Sequence, residues 1–184
     1  MFVAESGSIL ALLDPEVYVV TAGHAGRENG LVVTWISPAR LGSERARLVA
    51  VISPHSFSHD LIRASGRFGV NLLAEGQHEL VPRFGLRSGR DGDKFMGLDL
   101  RHTASGLPIL PDTCGFAECR IVDAIDSRDR IVYLAEVVEQ RVHAAKTPLR
   151  LSDAFAALPA DVVRALDEKR QRDAERDRGL IDQR

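Results

Sequence analysis

Residues 47–73 read RLVAVISPHSFSHDLIRASGRFGVNLL, a strand–helix–strand pattern around which the rest of the chain can be placed. It opens with a β-branched apolar stretch, 47–53, of the kind that forms a strand covered on both faces. A polar turn follows, and then Leu61, Ile62 and Ala64 cluster at helical spacing over 58–65. Ser58 precedes them, Asp60 falls in the first turn and Gly66 comes after, which are start and stop signals for a short helix. Strand character returns at 68–73. On the N-terminal side, VYVVTA (17–22) predicts a strand, GHAGREN (23–29) a turn, and GLVVTWI (30–36) a second strand. The polar stretch SPARLGSERA (37–46) then leads into the opening run. On the C-terminal side a short helix is expected over 77–84, with Pro82 late in it and bending its last turn. A charged, Gly-rich loop over 85–94 follows, then a strand over 98–102. Two long strands, 116–125 and 131–142, are joined by the tight connection DSRD (126–129). Strands dominate without regular strand–helix alternation and without a repeat, so the pattern predicts a β-barrel with small peripheral helices and excludes a doubly wound sheet.

The chain has 184 residues, 45% of them hydrophobic, enough for one core of ordinary size. We expect one domain over 1–158 and a charged helical tail over 159–184. After Pro159, Val162, Val163 and Leu166 share a helix side, and DEKRQRDAERDR (167–178) then mixes both signs of charge, with Glu168 and Arg172 at i,i+4. Such a helix is either exposed or an arm that reaches a second subunit. A net charge of −2 gives no excess positive charge for a polyphosphate backbone, so nucleic acid is not an expected partner. The apolar run 9–13 is too short for a signal peptide or a membrane span, and the cytoplasm is the expected location. Cys114 and Cys119 suggest neither a zinc site nor a disulfide framework, and Cys119 reads as a small buried side chain. His24, His78, His102 and His143 have no metal-ligand spacing, so no metal is expected.

Two segments could carry chemistry. Residues 52–60, from Ile52 through Ser53, Pro54, His55, Ser56, Ser58 and His59 to Asp60, join a strand end to a helix start. Backbone N–H groups and the positive end of the helix dipole meet there, and the serine hydroxyls suit a phosphate monoester. The alternative is that Ser58 is an ordinary N-cap among polar surface residues, and Asp60 opposes an anion unless its carboxylate turns away. In residues 30–38, a strand would put Val33 and Trp35 on one face and Thr34 and Ile36 on the other. A planar ring could lie along it, or Trp35 could be a core tryptophan. There is no G-x-G-x-x-G, P-loop or G-x-S-x-G motif.

With these segments in order, the sequence resembles the flavin reductase-like, FMN-binding split-barrel family, including the modules fused to flavodiiron proteins. The resemblance rests on VYVVTA, GLVVTWISPARL, SPHSFSHDLIRASGRFGVNLL, DKFMGLDL, SGLPIL, FAECRIV and VYLAEVVE, and runs from about Pro15 to Val138. It implies a homodimeric split barrel with FMN, in preference to FAD, near the subunit interface. By resemblance, Val33, Thr34, Trp35, Ile36 and Ser37 border the isoalloxazine ring. Ile52, Ser53, Pro54, Ser56, Ser58 and His59 hold the ribityl chain and phosphate. Phe84 and Gly85 close over the flavin, and Lys94 follows in the DKF motif. The implied reaction is hydride transfer from NADH or NADPH to flavin N5, with electrons passed on to a protein acceptor or a monooxygenase. The sequence departs from the family where an acidic residue and His usually precede the VYLAEVV-like strand: here the pair is Asp129-Arg130. Arg130 either grips the dinucleotide pyrophosphate or turns to solvent, Asp129 or Asp126. In the second case the alternative reading is an FMN-binding electron carrier without its own nicotinamide site. Family prolines are also missing around Ser43, Glu44 and Arg45.

Overall fold

The computed structural model describes residues 8–41, 44–143 and 145–181. Ser43 lies outside them. Its main sheet has seven strands in the order β2-β1-β5-β8-β9-β4-β3. In chain order these are β1 (Tyr18–His24), β2 (Arg27–Val33), β3 (Ile36–Pro38), β4 (Arg47–Ile52), β5 (Arg67–Leu72), β8 (Gly115–Asp126) and β9 (Ile131–Val142). The short pair β6 (Arg101–His102) and β7 (Pro108–Ile109) lies apart from them. All pairings are antiparallel. Among the described residues the α-helices are α1 (Phe57–Ser65), α2 (Leu80–Leu86), α3 (Leu151–Ala157) and α4 (Ala160–Ile181), and Ile9–Leu12 forms a 3-10 turn.

Chain connectivity curls the sheet. Edge strand β2 passes into the opposite edge strand β3 through Thr34 and Trp35 alone. Six strand spacings would hold those edges about 28 Å apart in a flat sheet, whereas three residue steps span at most about 11 Å. The sheet therefore rolls into a split β-barrel, and the Trp35 carbonyl accepts from the Val51 N–H (3.0 Å) at the seam.

The apolar alternation of each strand divides between two cores. Val20 and Ala22 of β1 face the barrel interior with Leu48, Ala50, Ile52, Phe68, Tyr133 and Ala135. Val17 and Val19 face outward against Leu80, Val81 and Phe84 of α2, Ala154 of α3 and Leu166 of α4. This two-sided cover explains why 17–22 is a continuous apolar run rather than an alternating one. Helix α1 lies against β1, β2 and β5, and its Phe57, Leu61 and Ile62 join the interior core. A buried polar network ties the β7 segment to the sheet. Thr21 donates to the Pro108 carbonyl (2.7 Å), Asn71 Nδ2 donates to the Val19 carbonyl (3.1 Å), and Asn71 Oδ1 accepts from Leu110 N–H (2.9 Å).

Several expectations are corrected. The predicted strand 30–36 is two strands with a break at Thr34 and Trp35, because the chain must change sheet edges there. Trp35, 37% exposed, is not a core tryptophan. The N-cap of α1 is Ser56, which accepts from the His59 N–H (3.1 Å), and not Ser58. Gly66 does close α1, with φ 67° and its N–H on the Ile62 carbonyl. Pro82 sits in the first turn of α2 rather than the last, where its missing N–H removes no helical bond. The strand expected over 98–102 shrinks to Arg101–His102. No described helix is long and apolar enough to cross a membrane.

Candidate functional site

A cavity of about 870 Å³ opens beside the barrel seam, within the range of ordinary ligand pockets. Its walls are Leu31–Trp35, Val51–Ser53 at the end of β4, His55–Phe57 at the start of α1, and Val81 and Phe84 of α2. The loop 87–91 with Lys94, the turn residues Asp129 and Arg130, and one side of α4 complete it.

Local sequence sets each wall. Gly30 has no Cβ, which lets the Phe84 ring lie on β2; a Cβ there would stand 2.8 Å from the ring. Gly89 likewise admits the Asn29 amide, whose Nδ2 donates to Ser58 Oγ (2.8 Å). The Arg90 guanidinium donates to Asp60 (2.7 Å) and to the His55 carbonyl (3.2 Å), tying the charged loop across the start of α1. It also neutralises the Asp60 carboxylate that stood against an anion at this helix start.

Lys94 is the most unusual group. Its side chain is buried, with the residue only 5% exposed, and Nζ donates to the carbonyls of Gly30 (2.8 Å) and Phe84 (3.3 Å). Among the described residues no carboxylate pairs with it. Burial, with a smaller push from Lys169, lowers its pKa to about 8. An ammonium group kept in this state fits a ligand that brings acceptor oxygens or negative charge. The lining as a whole carries eight Lys or Arg side chains and four carboxylates, so the cavity is electropositive although the whole chain is not.

The structure brings together most, not all, of the residues predicted for the site. Val33, Thr34, Trp35, Ile52, Ser53, Ser56, Phe84, Gly85, Lys94 and Arg130 line the cavity. Ile36, Ser37, Pro54, Ser58 and His59 do not. Ser58 is fully buried against Asn29. His59 turns inward to face the Tyr133 ring at 6.1 Å, and burial lowers its pKa. Ile36 packs on the barrel core, and Ser37 is exposed on β3. Ser56 reaches the cavity, but its hydroxyl donates to the Ser53 carbonyl (3.1 Å) while capping α1. Ser53 Oγ accepts from the His55 N–H (3.4 Å) and, among the described residues, donates to nothing, which leaves its proton for a ligand.

Arg130 lines the cavity, with its guanidinium 5.7 Å from the Trp35 ring centroid. It donates to the Asp129 carbonyl (2.6 Å) and to the carboxylate of Asp177 on α4 (2.5 Å). Asp177 was not foreseen, nor were Asn29, Arg87, Arg90, Lys169 and Asp173. For α4 the signal was present in the sequence: Leu166, Arg170, Asp173 and Asp177 recur at helical spacing and form one stripe.

Residues 12–158 match the family described as Flavin reductase like domain. The reductase subunit HsaB of a flavin-dependent monooxygenase from Mycobacterium tuberculosis is 37% identical over 130 residues, covering 71% of this chain and 67% of that protein. The high molecular weight rubredoxin of Moorella thermoacetica is 27% identical over 135 residues, 72% of this chain; the chain spans only 58% of that relative's length. Among solved structures, nitrilotriacetate monooxygenase component B from Mycobacterium thermoresistibile superposes with a TM-score of 0.69 at 28% identity, covering 77% of this chain and 76% of that one.

Proposed function

This chain belongs to the flavin reductase like family, and from that premise we propose that it is an NAD(P)H:flavin oxidoreductase that binds FMN in the cavity beside the barrel seam. The observation that carries the reading is Lys94, a buried ammonium with no carboxylate partner among the described residues, on the wall of an electropositive cavity. The residues present suit a flavin. Thr34, Trp35 and the end of β4 offer an edge for a planar ring, Lys94 and the Ser53 hydroxyl offer donors, and Arg87 supplies positive charge for a phosphate. A flavin held here would supply the redox chemistry, accepting hydride from a reduced nicotinamide and handing electrons to an acceptor. The protein orients it, excludes water with Phe84 and Leu31, and balances its charge.

We further propose a homodimer. The ribbon of β8 and β9 leaves Val122, Ile125, Val138 and Val142 exposed, apolar surface suited to a second copy. HsaB carries the name of a monooxygenase reductase subunit, which supports a monooxygenase or another protein as the electron acceptor here. One observation favours the second reading, an FMN-binding electron carrier without its own nicotinamide site: Arg130 is already paired with Asp177 and so is not free for a pyrophosphate. Anaerobic stopped-flow mixing of the FMN-loaded protein with NADH or NADPH separates the two. Bleaching of the flavin absorbance at a substrate-dependent rate supports the oxidoreductase. Unchanged absorbance with both donors leaves the carrier.

A further inference from the structure

Helix α4 begins after the end of the family match at residue 158, yet it forms one side of the cavity. Its deep apolar anchor is Leu166, which packs on α2; a Cβ on Gly85 would stand 3.3 Å from Leu166 Cδ2. Beyond that point the side chains that α4 lays on the cavity are mainly charged, including Lys169, Asp173 and Asp177. The pair Lys169–Asp173 lies within the helix and does nothing to hold it down. An ion pair from α4 to the barrel is Asp177–Arg130, with side chains 6% and 25% exposed. It lies 11 residues from Leu166, about 16 Å along the helix. A charged face is readily rehydrated when it lifts, so this half of α4 needs far less free energy to open than an apolar helix face would.

We propose that α4 is a strap over the flavin cavity, hinged where Leu166 meets Gly85 and latched by Asp177 on Arg130. The latch makes the flavin a retained group rather than a freely exchanging one. The proposal rests on the flavin reading of the cavity. A strap has a kinetic signature that a simple contact lacks. Ligand must pass it both ways, so unlatching speeds entry and exit together, whereas removing a contact speeds exit alone.

The test uses the full chain and FMN. Association is followed by flavin fluorescence on stopped-flow mixing with the apoprotein, and dissociation by trapping released FMN with excess apoflavodoxin. In Asp177→Asn, loss of a charge-assisted pair should raise both rate constants by about tenfold or more, with Kd changing by much less than either. Asp177→Glu, which keeps the carboxylate, should restore slow exchange. Added NaCl should speed the native protein and leave Asp177→Asn little changed. Faster dissociation with unchanged association would reduce Asp177 to a contact and overturn the strap, as would native rates in Asp177→Asn. Failure of the native protein to bind FMN at all would overturn the flavin reading itself, which the rates in the variant cannot do.

Discussion

Lys94 supplies the sharpest pH prediction. In the apoprotein its pKa is lowered to about 8 from an ordinary 10.5 by burial. A ligand that brings oxygen acceptors stabilises the ammonium, so the complex needs the protonated form and Kd varies inversely with the fraction of apoprotein in which Lys94 is charged. That fraction falls from roughly nine-tenths at pH 7 to roughly one-tenth at pH 9, so FMN affinity should weaken about tenfold over this range. The apoprotein should respond with the opposite sign. Its folded state holds the lysine proton less well than the unfolded chain, so the destabilisation is fully present below pH 8 and is relieved as pH rises from about 8 towards 10.5. The gain has an upper bound of roughly 3 kcal/mol. Lys94→Met should bind FMN about ten- to a hundredfold more weakly at pH 7, and its Kd should no longer vary with pH. The assay is fluorescence titration of FMN at pH 7, 8 and 9, with thermal melts to show that each protein is folded. A native Kd that stays flat from pH 7 to 9, or the same slope in Lys94→Met, would refute the assignment of the charge to Lys94.

Replacing Gly30 with valine places side-chain atoms where the Phe84 ring lies, so urea denaturation should show a loss of about 1–3 kcal/mol and weaker flavin binding. Asn71→Ala leaves the Leu110 N–H without its acceptor inside the fold and should cost about 1–3 kcal/mol by the same measurement. Ser56→Ala removes the cap of α1 and should cost about 1 kcal/mol, with little change in FMN affinity because the Ser56 proton is already given to Ser53. If the dimer uses the exposed end of β8, Ile125→Lys, at a residue 65% exposed, should shift sedimentation from dimer to monomer without lowering the melting temperature of the chain; an unchanged dimer would place the interface elsewhere.

The strand framework was legible because it follows from local patterning. Residues 17–22, 47–53 and 131–142 are rich in β-branched and apolar side chains, and they lie within one or two residues of β1, β4 and β9, although β1 and β2 run into the turn expected over 23–29 and leave only Ala25 and Gly26 between them. Gly66 marked the end of α1 for the reason that only a left-handed residue closes it cheaply. The break at Thr34 and Trp35 was not legible, since local preference favours a continuous strand and only the closing of the sheet interrupts it. Which way a side chain near a helix start turns was also hidden. Ser56, Ser58 and His59 all suit an anion by type, yet the capping geometry gives Ser56 to the backbone, and packing buries the other two. Lys94 was found by resemblance. That no carboxylate among the described residues pairs with it emerges only when β2 and α2 enclose it. Asp177 was missed because a run of mixed charge reads as solvated on every side, although its helical stripe was there to be drawn.

A crystal structure of the protein with FMN would show whether the cavity between the barrel seam and α4 holds the flavin. One flavin per chain is expected, its ring along Val33–Trp35, Lys94 Nζ within hydrogen-bond distance of a flavin oxygen or nitrogen, and α4 closed over it. Flavin bound elsewhere, or this cavity empty in crystals saturated with FMN, would contradict it.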